Sequence, residues 1–183
     1  MDVKFHYQAP GKVDPIRIEQ VFAEKPSGGL VANSQFAIAP TTAVGEDNGL
    51  FKPIKGYRLY KAVSAGDSSI QIEKGSGVAV NDIIAYGKKG VKVTKVDDSN
   101  EDYDEVTVTL GVEIPVGTVL YQAKKASEDS AEPIYKPKYV TGNWIPAEAG
   151  DFPVRLINGA NLRKETALVG DDIADLLPLI TLV

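Results

Sequence analysis

The stretch GVKVTKVDDSNEDYDEVTVTLGV, residues 90–112, decides the fold class. In its second arm, Glu105–Val112, Val106, Val108 and Leu110 point one way, and Thr107 and Thr109 the other. A repeat of two is the period of a half-buried strand. The first arm, Gly90–Val96, alternates less cleanly. Val91, Val93 and Lys95 fall on one face, and Lys92, Thr94 and Val96 on the other. The polar stretch between the arms reads as a solvated hairpin tip. Working outward, Ser69–Glu73 (SIQIE) repeats the pattern with Ile70 and Ile72. Val, Ile, Thr and Tyr dominate these runs, as a pleated surface favours. The segment Asp14–Lys25 carries Ile16, Ile18, Val21 and Phe22 and fits a strand followed by a loop better than a helix. The one clear helical signal is GDDIADLLPL near the C-terminus. Asp171 or Asp172 would cap a short helix with Ile173, Leu176 and Leu177 on one face, and Pro178 would end it. These patterns predict an all-β protein: a small β-barrel or sandwich core with a short C-terminal helix and a final strand.

Two phrases recur. PIKGYRLYKA begins at Pro53 and PVGTVLYQA at Pro115, and both end in Leu-Tyr-x-Ala. A looser version, VAVNDIIAYG, runs from Val78 to Gly87, with Val80–Asp82 as turn and Ile83–Tyr86 as strand. Each reads as a turn that launches a strand, a device that a small β-domain needs several times. Glycine and acidic residues at 45–49 and the polar run Lys124–Pro133 suggest boundaries. The expected division is residues 1–50, of unclear role; a β-rich unit at 51–123; a linker at 124–134; and a C-terminal β segment at 135–183.

The chain has 183 residues and no cysteine, so thiolate chemistry and disulfide staples are excluded. A net charge of −5 with scattered Lys and Arg argues against nucleic acid as a partner. The only paired lysines are Lys88-Lys89 and Lys124-Lys125. No apolar run reaches bilayer-spanning length and no signal peptide is visible, so no membrane partner and synthesis in the cytoplasm are expected.

Reactive groups are sparse. His6 is the only histidine, too little for a catalytic triad or a zinc site. Residues 97–105 hold six acidic residues in nine. Asp98, Asn100, Asp102 and Asp104 have the spacing of half a calcium loop, but Tyr103 stands where that loop needs Gly and Thr109 where it needs a bidentate Glu. Gly75–Gly77 reads as a tight turn, not a phosphate loop. In YVTGNWIP, Tyr139 and Trp144 suit a sugar-stacking platform, although Trp144 fits a packing anchor better. No catalytic residue, metal ligand or cofactor is expected. The apolar ending LLPLITLV must be covered, by the chain's own domain or by a neighbouring subunit. Leu176, Leu177, Leu179, Ile180, Leu182 and Val183 are the candidate contact residues.

The phrases SIQIEKGSGVAVNDIIAY and VTKVDDSNEDYDEVTVTLGVEIPVGTVLYQA resemble accessory proteins on the heads of tailed bacteriophages. The tail FPVRLINGANLRKETALVGDDIADLLPLITLV resembles the end of phage head fiber proteins. The resemblance covers residues 57–183 and rests on short structural motifs. It implies a non-enzymatic virion protein on the capsid surface, made in the bacterial host's cytoplasm. Such a protein would form a homotrimer and bind the phage major capsid protein. The residues keep an alternative open, a carbohydrate-binding β-module that uses Tyr139 and Trp144, with or without calcium at the acidic tip. A hydrolase ranks last.

Overall fold

The computed structural model describes residues 15–33 and 36–183. It is an all-β protein with a curled half-barrel sheet, a short C-terminal helix and a final strand. His6 lies outside the described residues.

The large sheet is built on a bent ribbon. Strands β1 (Ile18–Glu24) and β2 (Gly29–Asn33) follow each other in sequence, separated by a turn in which Gly28 N–H donates to Lys25 O at 3.0 Å. Over its described residues, from 15 on, the expected strand-then-loop run is β1 followed by this turn. Of the remaining strands, β3 is Ala43–Asp47, β4 Leu50–Ile54, β12 Pro137–Thr141, β13 Gly150–Val154 and β14 Leu156–Leu162. β14 runs antiparallel to β1, and β13 runs antiparallel to β2. The β1–β2 turn stands beside Arg155, where β13 gives way to β14, and Lys25 N–H donates to Leu156 O at 2.8 Å. β12, β3 and β4 fill the span between β14 and β2, and β2 and β4 pair in parallel. Inside the curl Val31, Ile38, Val44, Phe51, Ile145 and Leu156 form one apolar core. The expected boundary at Gly45–Gly49 is the turn of the β3–β4 hairpin. Asn48 (φ 52°) and Gly49 (φ 82°) form a two-residue loop with both residues left-handed, the geometry that matches strand twist.

Residues 56–123 form a second, smaller β unit of two facing sheets. One contains β6 (Ser69–Glu73), β10 (Tyr103–Thr107) and β9 (Lys95–Asp97) in that order. The other contains β5 (Gly56–Arg58), β11 (Val119–Gln122), β7 (Ile83–Tyr86) and β8 (Lys89–Lys92). Their inner faces bury Ile70, Ile72, Val106, Val108 and Leu110, the residues picked out by alternation. Full burial of each such side chain contributes about 1.5–3 kcal/mol. The run Gly90–Val96 differs from its expected single strand. It leaves β8 after Lys92, turns a corner at Val93-Thr94 and joins the other sheet as β9. Val93 N–H donates to Asp82 O at 2.8 Å, and the Thr94 hydroxyl donates to Thr107 O at 3.1 Å. The corner resets the alternation, so Val96 packs on the core and Lys95 faces solvent.

The repeated phrases are neighbours. β11 lies antiparallel to β5, with Leu120 opposite Tyr57 and Tyr121 opposite Gly56. The expected turn-then-strand device occurs at Pro115–Thr118 and Ala79–Asp82, and again at Ala39–Thr42. Each turn closes with a backbone bond, at 3.4, 3.1 and 3.3 Å respectively. The third residue of each is left-handed: Gly117 at φ 77°, Asn81 at φ 75°, Thr41 at φ 73°. The first phrase departs from this. Pro53 and Ile54 close β4, and Gly56–Arg58 is the strand, before Leu59 rather than after it.

A third core cluster joins the two sheet systems. Ala85, Tyr121 and Ala123 of the smaller unit meet Val140, Ile157, Ala160 and Leu162 of the large sheet. Residues 124–134, expected as a linker, fold back along β8. Gly90 and Ser127 exchange backbone bonds at 2.7 and 2.9 Å, and Ala131 is buried in the shared core.

Candidate functional site

The C-terminal segment runs from α1 (Asp171–Ala174) to β15 (Ile180–Leu182), which pairs in parallel with β14. Gly170 is the N-cap, where an aspartate was expected. A Cβ on Gly170 would lie 2.1 Å from Val119 O, so the close approach of β11 excludes a side chain there. Asp171 and Asp172 occupy the first turn instead, where carboxylates oppose the positive end of the helix dipole. The Asp172 side chain also accepts the Gly87 N–H at 2.8 Å. The six candidate contact residues divide. Leu177 and Ile180 are 3% and 6% exposed and belong to the shared core. Leu182 is half-buried. Leu176, Leu179 and Val183 are 51%, 51% and 56% exposed. Part of this apolar stretch is therefore packed into the chain's own core and the rest lies on the surface.

Beside β15 lies an open cleft of about 650 Å³. Its walls are the Pro115–Val119 turn, the Tyr86-Gly87 turn, Gly170–Asp172, Lys164 and Glu165, and Leu182. Val116 on its rim is 63% exposed. Arg58 lines the cleft and is itself buried. Its guanidinium donates to Gly117 O at 2.6 Å, to Lys164 O at 3.2 Å and to Ala167 O. Burial pushes the guanidinium below its ordinary pKa, with Glu73 opposing that shift. Both Nη atoms donate to carbonyls, so Arg58 works as a tie between the repeated phrase and the loop before α1. Sequence reading passed over it because nothing local marks Arg58 as buried.

A second polar cluster surrounds Asp82. Its carboxylate accepts from Lys55 Nζ at 2.8 Å, Tyr57 OH at 3.0 Å, Gln122 Nε2 at 3.3 Å and the Ala79 N–H at 3.0 Å. Lys55 also sits 5.2 Å from the Phe36 ring centroid. Burial, and then the Asp82 charge, pushes the Tyr57 phenol well above its ordinary pKa. These groups saturate one another and brace the strand-entry turn against β5.

Tyr139 and Trp144 have different surroundings. Tyr139 is packed edge-on against Phe51 at 5.5 Å in the large-sheet core. Trp144 is 45% exposed, and the Arg17 guanidinium lies 5.5 Å from its ring centroid. The packing anchor of that loop is Ile145, not Trp144, because Ile145 bridges to Ile38 inside the curl. At the acidic tip the side chains are turned to local tasks. Asp97 accepts from the Ser99 backbone and hydroxyl, Asn100 accepts the Asp102 N–H, and Asp104 is paired with Lys74 at 2.6 Å. Among the described residues no three His, Cys, Asp or Glu side chains are grouped as metal ligands, and no helix is long and apolar enough to cross a membrane.

No family model, curated protein or solved structure matches this chain.

Proposed function

We propose that this protein is a non-enzymatic structural subunit of a phage virion, a head fiber or capsid decoration protein that associates as a homotrimer and binds the major capsid protein. The reading is carried by the half-exposed Leu176, Leu179 and Val183 at the C-terminal edge, beside a cleft rimmed by Val116. Exposed apolar side chains along one edge offer surface for a protein–protein contact. The sequence resemblance to phage head proteins supplies the virion context, and the cysteine-free β scaffold suits a structural role. The test is solution mass by light scattering, with co-sedimentation on purified capsids. A trimer that binds capsids, and a triple substitution of Leu176, Leu179 and Val183 by Ser that dissociates it, support the reading. A monomer that ignores capsids ends it.

Trp144 favours a second reading, a carbohydrate-binding module. Stacking a sugar on this half-exposed indole requires the Arg17 guanidinium over its ring to move aside, and Tyr139 is committed to the core. Thermal stabilisation by a glycan, lost in Trp144→Ala, supports it. No stabilisation across a broad glycan panel with calcium present removes it.

A further inference from the structure

We propose that the outer edge of β15, with the adjoining cleft, is a strand-addition site for an extended basic segment of another chain. Ala160 N–H donates to Leu179 O and Val183 N–H donates to Leu162 O, so residues 179, 181 and 183 face β14. The Leu182 N–H and the carbonyls of Ile180 and Leu182 therefore point the other way. Among the described residues no strand pairs with that side. Edges of this kind are usually blunted by brevity, lysine, proline or a bulge, and β15, three residues long, has brevity alone. Here the sequence is Ile-Thr-Leu. Leu182 also lines the cleft, so an incoming strand would find space beside the free edge. Leu179, Val183 and Val116 offer exposed apolar surface for alternate side chains.

Charge selects the occupant. Glu165, Asp171 and Asp172 line the cleft, and Asp175 is exposed just beyond the helix. Against them stands Lys164, already paired with Asp171 at 3.0 Å. The Arg58 charge is buried beneath carbonyl oxygens. The exposed balance is acidic, so the fitting strand carries Lys or Arg around its apolar residues. This goes beyond the virion reading, because it specifies the mode and charge of the contact and would serve any assembling partner.

The test is an amide-resolved NMR titration of the whole chain with two short peptides, acetyl-Lys-Val-Lys-Val-Thr-Lys-amide and the same peptide with Glu in place of each Lys. The expected result is saturable shifts at Leu182, Val183, Val116 and Gly117 with the basic peptide. The acidic peptide should bind at least about tenfold more weakly, and added salt should weaken the basic one. Leu182→Pro removes the outward N–H without touching a bond to β14 and should abolish binding. The double variant Glu165→Gln/Asp175→Asn keeps the edge and should bring the two affinities together. Equal affinity for both peptides in the parent protein, shifts confined to other surfaces, or unchanged binding by the Pro variant would each overturn the proposal. So would a Leu182 amide already protected from exchange in the free protein, since the chain itself would then cover the edge.

Discussion

Replacing Arg58 by Met should destabilise the protein by about 3–4 kcal/mol, and the figure follows from what the guanidinium holds. It donates to three carbonyls, those of Gly117, Lys164 and Ala167. A buried acceptor that loses its donor costs about 1–3 kcal/mol. Gly117 and Lys164 line the open cleft, so water can replace the guanidinium at their carbonyls and reduce their share. The bond to Ala167 O is buried, and that carbonyl bears the larger penalty. Met retains most of the aliphatic stem, which limits the packing loss. Relief from burying a charge offsets part of the total. Urea unfolding followed by circular dichroism is the assay. At about 1–3 kcal/mol per molar in urea, the midpoint should fall by at least about 1 M with an unchanged slope. Arg58→Lys should fall between, because one ammonium cannot span three carbonyls. A Met variant within about 1 kcal/mol of the parent would refute the tie between β5, the Pro115–Thr118 turn and the loop before α1.

Alkaline stability should reveal two buried phenols. Burial raises Tyr57 well above its ordinary value and pushes Tyr121 up to about 12. Both folded values exceed the unfolded value, near 10. Above that pH the unfolded chain releases protons that the folded chain retains. Stability from these groups is therefore complete below about pH 10 and is lost as pH rises through the folded values. Tyr121→Phe should flatten part of that slope in pH-dependent denaturation curves. Thr41→Val should cost about 1–2 kcal/mol by thermal denaturation. It keeps a β-branched residue at φ 73° and deletes the hydroxyl that accepts the Leu168 N–H at 2.9 Å. Thr41→Asn, which tolerates that conformation and retains an acceptor, should cost less. Gly170→Ala should cost about 3 kcal/mol, since the new methyl would meet a strand carbonyl at 2.1 Å. A loss below about 1 kcal/mol by the same measurement would show that β11 and the α1 cap can move apart.

The strand content was legible because alternation is local. Ile70 and Ile72, and Val106, Val108 and Leu110, announce their buried face without any knowledge of partners. The short helix was equally visible, but not its cap, because Gly170 is dictated by a carbonyl of β11 that lies far away in sequence. The Asn48-Gly49 hairpin could have been found, since that dipeptide between two apolar runs is a strong turn signal; the surrounding acidic residues made it look like a boundary. Trp144 and Ile145 could not be sorted in advance. Which of two adjacent apolar residues faces inward depends on the bridge to Ile38.

By itself the sequence determined an all-β chain with turn-led strand entries, no thiol chemistry and an apolar C-terminal stretch. Those properties follow from composition and from a two-residue period, both carried by neighbours along the chain. Only the tertiary structure decided that the repeated phrases pair as β5 and β11, that Val93-Thr94 turns a corner between sheets, and that Arg58 is buried. It also divided the apolar ending, placing Leu177 and Ile180 in the core and leaving Leu176, Leu179 and Val183 outside. The physical reason is common to all four. Each depends on which distant backbone supplies a hydrogen bond or a surface, and no local pattern encodes that choice.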